Sequence, residues 1–131
     1  MSTTSTSAEF GLSRIGQIAV NVHDLERATA FYRDRLGMHF LFSAPNLAFF
    51  QCGEVTLLLD VPETAEFDHP SSVIYFTVDD IDSAYETLKS RGVTFRAEPH
   101  VIHRTESRDL WMAFFQDLDE NTLALMSWKG K

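Results

Sequence analysis

The chain has 131 residues, of which 44% are hydrophobic and 23% charged, and its formal net charge is −8. This length and composition indicate one soluble globular domain with a sizeable core. The acidic balance argues against nucleic acid or an anionic membrane as a partner, because both require a basic surface. The single cysteine, Cys52, excludes an internal disulfide, and no apolar run is long enough to span a bilayer. We therefore expect a cytoplasmic protein.

The first half of the chain predicts a tail, a strand and a helix. Residues 1–12 are rich in Ser and Thr without periodicity, and we expect them to be disordered. A strand over about 14–22 alternates, which places Gln17 on one face and Val20 on the other. Asp24 stands at the N-cap of a helix that ends at Gly37.

Three short strands follow this helix, and the second half repeats the order. The predicted strands of the first half cover residues 39–43, 47–51 and 55–61. An acidic connector (63–70) leads to a strand over 72–78 and to a helix that Asp80 caps. The remaining predicted strands cover residues 94–97, 110–116 and 123–127. Between the first two of them lies a longer polar stretch, 99–109, which we predict to be irregular and suited to carry binding residues.

The two halves also match residue by residue. Setting Gln17 against Val73 aligns Val22 with Val78 and Asp24 with Asp80, and a one-residue gap then aligns Gly37 with Gly92. The run Ala-Phe-Phe-Gln occurs twice, at 48–51 and at 113–116. This agreement in order and spacing indicates an internal duplication. One unit alone would leave one face and one edge of its sheet uncovered. Both units are therefore needed to bury the face or the edge.

A resemblance to a known family rests on three motifs, which cover 17–28, 31–37 and the Asp-Glu-Asn of 119–121. These motifs resemble the vicinal oxygen chelate superfamily, which includes glyoxalase I, extradiol dioxygenases, fosfomycin-resistance enzymes and bleomycin-binding proteins. The resemblance implies an α+β fold over 13–131, with two tandem βαβββ modules (13–62 and 71–129) that form a rolled mixed sheet around a cavity. Many relatives are dimers, so it also implies a homodimer.

Relatives that use a metal place its ligands at the start of the first strand and in the middle of the last strand of each module. Here those four positions hold Gln17, Leu58, Val73 and Ala124. Only Gln17 carries a donor atom, whereas a divalent cation needs several O, N or S ligands. We therefore expect no metal at this place and no other cofactor. His100, His103 and Glu106 offer a different ligand set, but strand residues three apart point to opposite faces, so the two histidines would diverge.

The resemblance also points to an apolar cavity wall. If Gln17 faces inward, alternation turns several apolar and aromatic side chains the same way. We predict that a ligand contacts Gln17, Phe50, Leu58, Tyr75, Trp111, Phe115, Ala124 and Met126. One ring of each pair, Phe49/Phe50 and Phe114/Phe115, must face inward, and the sequence does not decide which. Such walls suit flat or apolar molecules, while the alternative is a filled core in which the rings pack on each other.

Two functions remain open. The first is a metal-free binder of a small aromatic or apolar molecule, similar to the bleomycin-type resistance proteins. The second is a glyoxalase-like lyase or isomerase in which His103, Glu106 or Tyr75 moves a proton, or a metal-dependent lyase or dioxygenase with non-standard ligands. The loss of three of the four ligand positions favours the binder. The acidic net charge favours a cationic or neutral ligand for either.

Overall fold

The computed structural model describes residues 10–131, and residues 1–9 of the predicted tail lie outside them. The first module consists of β1 (Gln17–Asn21), α1 (Leu25–Ala30), β2 (His39–Ala44), β3 (Leu47–Cys52) and β4 (Val55–Asp60). The second module consists of β5 (Ile74–Thr77), α2 (Ile81–Ser90), β6 (His100–Arg104), β7 (Arg108–Gln116) and β8 (Thr122–Gly130). No helix in this described range is long and apolar enough to cross a membrane.

Each module forms its own four-stranded mixed sheet. The strand orders are β1–β4–β3–β2 and β5–β8–β7–β6, so the two sheets have the same topology. In each sheet the first strand of the module pairs in parallel with the last, and the hairpins between them are antiparallel. The predicted α+β fold of tandem βαβββ modules is confirmed. The sheets are separate and are not closed into a barrel.

Both helices begin at the aspartates that the sequence indicated. The side chain of Asp24 accepts a hydrogen bond from the backbone N–H of Arg27 at 3.1 Å, and Asp80 accepts one from Ser83 at 3.1 Å. These bonds satisfy a donor that the first helical turn leaves free. The helical segments end before Gly37 and Gly92, whose φ angles of 71° and 87° are open to glycine at little cost.

The one-residue gap between the halves corresponds to a π-helical turn. After α1 the chain continues through Phe31–Arg35 as a π-helix, which the Leu36 N–H closes on the Phe31 carbonyl at 3.1 Å. A π turn holds about one residue more than an α turn because its hydrogen bonds span five residues. The interval from Asp24 to Gly37 is 13 residues and that from Asp80 to Gly92 is 12. The extra residue of the first module is therefore absorbed within the helix.

The polar stretch 99–109 differs from its predicted irregular form. It forms the hairpin of β6 and the start of β7, whereas the predicted strand at 94–97 is reduced to a single bridge between Phe95 and Phe115. Strands β7 and β8 pair over nine positions and so extend beyond their predicted bounds. Because β6 is an edge strand with mostly exposed side chains, it lacks the apolar alternation that identifies an inner strand.

One hydrophobic core lies between the helices and the sheets. Its large members are Val20, Val22, Phe31, Tyr32, Phe50, Leu57, Leu59, Ile81, Tyr85, Phe115, Leu123 and Leu125. Residues of opposite parity point away from the helices, and we call these two sides the open faces. The first open face carries Gln17, Ala19, Phe42, Phe49 and Leu58. The second open face carries Tyr75, Leu110, Met112, Phe114, Ala124, Met126 and Trp128.

Candidate ligand-binding site

The first open face is crossed by a row of apolar side chains, one from each strand. The strand register aligns Ala19, Leu58, Phe49 and Phe42. The rings of Phe42 and Phe49 stack with centroids 4.4 Å apart and planes 19° apart. Phe42 nevertheless remains 54% exposed. Ala19 is also exposed, whereas Leu58 is only 9% exposed, so the row is a partly open apolar surface.

The second open face carries an equivalent row and extends it. Tyr75, Ala124 and Phe114 are aligned, and the rings of Tyr75 and Phe114 meet edge to face at 6.0 Å. Two further rows follow along the strands, formed by Thr77, Met126, Met112 and His100, and by Trp128, Leu110 and His103. Tyr75 is 47% exposed, and no hydrogen bond of its hydroxyl is found within residues 10–131.

The structure separates the predicted ligand-contact residues into two groups. Gln17, Leu58, Tyr75, Ala124 and Met126 lie on the open faces. Phe50, Phe115 and Trp111 lie on the helix-covered side, where both phenylalanines are buried and Trp111 packs against the core. Phe49 and Phe114 are thus the members of each pair that face outward. Trp128, which the sequence interpretation did not include, belongs to the second open face.

The four positions at which relatives hold a metal do not fit one here. Gln17 and Leu58 lie on the first sheet, while Ala124 lies on the second and Val73 directly precedes β5. Three of these side chains are aliphatic and offer no electron pair. Within the described range, no group of three or more His, Cys, Asp and Glu side chains could hold a metal ion. His100, His103 and Glu106 accordingly do not form an alternative set.

The two histidines of β6 share a face, so the prediction that they diverge is wrong. A bulge between Val101 and His103 inserts one residue into the pairing with β7. His100 therefore lies opposite Met112 and His103 opposite Leu110, which both point to the second open face. Because of the extra residue, side chains no longer alternate regularly between the two faces at this point of β6, and the prediction rested on that alternation.

The proposed acid–base residues are not brought together within one chain. His103 is level with Leu110 on the edge strand, whereas Tyr75 is level with Phe114 on the opposite edge. Four residues along the strands and three strand spacings separate them, which places their Cα atoms about 20 Å apart. Glu106 lies in the exposed turn between β6 and β7. Direct proton transfer among these three side chains would require much closer contact.

A buried polar network joins the two modules at another place. The Tyr32 hydroxyl donates to Oδ2 of Asp117 at 2.8 Å, and the Asn121 side chain donates to the same oxygen at 2.8 Å. Asn121 also donates to the Asn21 carbonyl at 2.8 Å and accepts from the Ser71 N–H at 3.1 Å. Burial, followed by the nearby Asp117 carboxylate, raises the pKa of Tyr32 well above its ordinary value, so its hydroxyl remains a donor.

An exposed histidine ties the connector to the same region. In His23, Nε2 lies 2.7 Å from Oδ1 of Asp68, and Nδ1 lies 2.8 Å from Oδ1 of Asp119. The hydrogen bond with Asp68, and then that with Asp119, raises the pKa of His23 above its ordinary value. The imidazolium can donate to both carboxylates at once, whereas a neutral ring can donate to only one.

A separate apolar cavity of about 290 Å³ lies on the helix-covered side. Leu36 and Met38 of the first module line it together with residues of the second sheet and α2, among them Phe76, Phe115 and Leu88. Its walls are almost entirely aliphatic or aromatic, with the Thr87 hydroxyl as a polar exception. It therefore lies at the junction of the two modules and shares no lining residue with either open face.

Comparison with known families agrees with this architecture. A family model described as the Glyoxalase/Bleomycin resistance protein/Dioxygenase superfamily matches residues 14–125. The match covers both modules, from the residues before β1 into β8. The chain belongs to this superfamily.

The individual relatives match this chain at low sequence identity. An uncharacterized protein of Bacillus subtilis (strain 168), YraH, is 28% identical over an alignment that covers 83% of this chain and 94% of YraH. The solved structure of TnmS3, an antibiotic binding protein from Streptomyces sp. CB03234, matches with a TM-score of 0.74 at 23% identity, covering 92% of this chain and 100% of that one. Lactoylglutathione lyase from Agrobacterium tumefaciens gives 0.70 at 23% identity, covering 89% and 95%. At such identities the structural likeness shows the fold alone.

Proposed function

We propose that the protein binds a small aromatic or apolar molecule on its open faces, as a homodimer and without a metal at the position that relatives use. The observation that carries this proposal is the pair of aromatic rows, in which the exposed rings of Phe42 and Tyr75 pack on Phe49 and Phe114, in rows that also hold the exposed Ala19 and the buried side chains of Leu58 and Ala124. Flat apolar molecules gain most from such surfaces, because they bury area without leaving polar groups unpaired.

The exposure of the open faces supports the homodimer. Phe42, Val73, Tyr75 and Trp128 are 54%, 40%, 47% and 36% exposed, and all lie on or beside these faces. Large apolar side chains exposed in this number on a sheet surface usually mark an interaction site. In a two-fold symmetric pair, the first open face of each chain would meet the second open face of its partner. Each of the two resulting chambers then has one aromatic row on either wall.

The same geometry favours binding over proton transfer. The separation of about 20 Å between His103 and Tyr75 leaves no assembled acid–base pair within a chain. The aliphatic residues at the metal positions remove the electrophile that a metal would supply. The fold itself is compatible with both activities, since structures that share it include an antibiotic binding protein and a lyase.

The proposal is tested with N-phenyl-1-naphthylamine, a neutral aromatic probe whose fluorescence rises in apolar surroundings. We expect saturable binding by a species of twice the 14.9 kDa chain mass, measured by light scattering. Phe49→Ala and Phe114→Ala should each weaken binding about tenfold, since each removes one ring of an aromatic row. Leu118→Ala is the matched control, because Leu118 is 41% exposed and lies on the turn before β8.

Three results would count against the proposal. Unsaturable probe fluorescence in the folded wild-type protein would show that the open faces form no defined site. Equal weakening by Leu118→Ala and Phe114→Ala would show that the probe binds elsewhere. A monomer that binds the probe with full affinity would exclude the dimer.

A further inference from the structure

The second open face ends in an arginine stacked on a tryptophan. Arg108 opens β7, and its guanidinium carbon lies 4.3 Å from the ring centroid of Trp128 on β8. The strand register places Arg108 on the same side as Leu110, Met112 and Phe114. A guanidinium stacked on an indole keeps its edge N–H groups free, and its planar fork matches a carboxylate.

Among the described residues, Arg108 is also the cation at this end of the sheet for which no ion pair with a carboxylate is found. Arg104 and Lys131 both pair with Asp109, at 3.2 and 3.4 Å. Lys129 pairs with Asp82 at 2.7 Å. Within residues 10–131, no carboxylate lies in ion-pair distance of Arg108, and Glu106 in the adjacent turn makes no such contact. The charges of Arg104, Lys129 and Lys131 are thus balanced by carboxylates that lie away from the second open face. Of these four described cations, Arg108 is the one that presents an unbalanced charge on this face.

The rest of the second open face carries no negative charge to oppose Arg108. Its other strand residues are Tyr75, Thr77, Leu110, Met112, Phe114, Gln116, Thr122, Ala124, Met126 and Trp128, with His100 and His103 on the edge strand. Not one of them is acidic, although the chain as a whole carries a net charge of −8. This face therefore attracts an anion, in contrast to the cationic or neutral ligand that the overall charge suggested.

The dimensions indicate a ligand with two distinct ends. Six residues separate Arg108 from Phe114 along β7, which corresponds to about 20 Å. The side chains between them are Leu110 and Met112, flanked by Met126 on β8. A molecule held by Arg108 would extend over these apolar side chains toward the Tyr75–Phe114 pair. A thioether track of this kind adapts to straight or flat apolar bodies.

We propose that the ligand is an elongated apolar carboxylic acid, with its carboxylate on the Arg108–Trp128 stack and its apolar body over Leu110, Met112 and Met126. This inference rests on the proposed binding function and names the ligand class of that site. Aliphatic and arylalkyl acids share this chemistry, and the choice between them depends on how far the body reaches toward the aromatic row.

The test compares acids with neutral molecules of the same shape. Binding of decanoate and 1-decanol, and of 6-phenylhexanoate and 6-phenyl-1-hexanol, is measured by displacement of N-phenyl-1-naphthylamine. We expect each acid to bind at least tenfold more tightly than its alcohol, because charge-assisted hydrogen bonds are worth about 10- to 100-fold in affinity. Tighter binding of 6-phenylhexanoate than of decanoate would place the body of the ligand on the Tyr75–Phe114 pair, and the reverse would place it on the methionines.

Four variants locate the effect. Arg108→Gln should reduce the affinity for each acid to that for its alcohol, and Arg108→Lys should restore part of the preference through its charge alone. Arg27→Gln removes the same charge from α1, on the helix-covered side, and should change nothing. Trp128→Leu keeps the arginine but removes its platform, so the acids should lose affinity while the alcohols lose less.

The outcomes separate this inference from the function on which it rests. Equal affinity for acid and alcohol in the wild-type protein would overturn the carboxylate inference and leave small-molecule binding intact. A preference for acids that survives in Arg108→Gln would also overturn it. Failure of the dimeric wild-type protein to bind the neutral probe at all would instead remove the proposed function. Circular dichroism and melting confirm that each variant is folded before it is scored.

Discussion

Tyr32, in the π-helical turn of the first module, donates its hydroxyl hydrogen to Asp117, which lies 85 positions further along the chain, at 2.8 Å. Tyr32 is completely buried, and Asp117 is 7% exposed. The same carboxylate also accepts the backbone N–H groups of Asp119 and Asn121 at 2.9 and 2.8 Å. It therefore holds together one helix of the first module and the last turn of the second.

Removing the Tyr32 hydroxyl should destabilise the protein. Tyr32→Phe deletes a buried hydrogen bond to a charged group, and such bonds are worth about 1.5–3 kcal/mol. The free energy of unfolding from urea titration should fall by this amount, with an unchanged m-value. Tyr85→Phe is the matched control, because Tyr85 is also buried but its hydroxyl has no hydrogen bond within the described chain. Similar losses in the two variants would contradict the role assigned to Asp117.

His23 should make stability depend on pH. Its pKa is raised in the folded state by Asp68 and Asp119, so its contribution is complete below the unfolded pKa of about 6.5. The contribution is lost as the pH rises through the higher folded pKa. The difference in melting temperature between wild type and His23→Gln should therefore be larger at pH 6 than at pH 8.5. His39→Gln replaces an exposed histidine whose ring makes no hydrogen bond to any residue from 10 to 131, and it serves as the control. A difference that grows with pH would reverse the assigned sign.

Gly92 should resist replacement because of its backbone conformation. Its φ is 87°, and a Cβ there would meet no atom nearer than 3.8 Å. Gly92→Ala should therefore cost about 1–2 kcal/mol, the price of a left-handed conformation rather than of a collision. Gly16→Ala is the comparison, since Gly16 has no positive φ and a Cβ there would meet no atom of the described residues within 4 Å. Equal unfolding free energies for the two variants would exclude this explanation.

The π-helical turn should tolerate a deletion that α2 does not. Without Asp34, the first helical segment would have the same length from cap to glycine as the second, and an ordinary α turn could replace the π turn. Deleting Glu86 from α2 would instead rotate the residues that follow it by about 100° about the helix axis, so Leu88 would leave its place in the core. We expect the first variant to melt cooperatively and the second to lose near-UV circular dichroism.

Much of the fold could be predicted because local signals agreed with the duplication. The aspartate caps, Gly37 and Gly92 mark the helix ends in both halves, and the repeat supports each assignment with a second copy. The edge strand β6 could not be found, since exposed polar residues carry no alternation, and its bulge reversed the parity of His103. Residue type alone does not reveal such an irregularity.

The candidate site was predicted in part for similar reasons. The choice between Phe49 and Phe50 depends on the register of β3 with β4. A two-residue turn at Gly53 and Glu54 pairs Cys52 with Val55, which places Phe49 opposite Leu58. That signal is present in the sequence. The stack of Arg108 on Trp128 is not, because it joins residues 20 positions apart through the pairing of β7 with β8.

The two open faces belong to different sheets of one chain. A substitution in the first face can therefore be carried by one chain of the proposed homodimer and a substitution in the second face by the other chain. In the proposed pair, a chain with Phe49→Ala keeps its second wall, and a chain with Arg108→Gln keeps its first. A mixed pair then contains one chamber with both defects and one with none. Two defective alleles expressed together should thus complement each other, with half of the sites restored in every heterodimer. Each allele alone would lack an intact site.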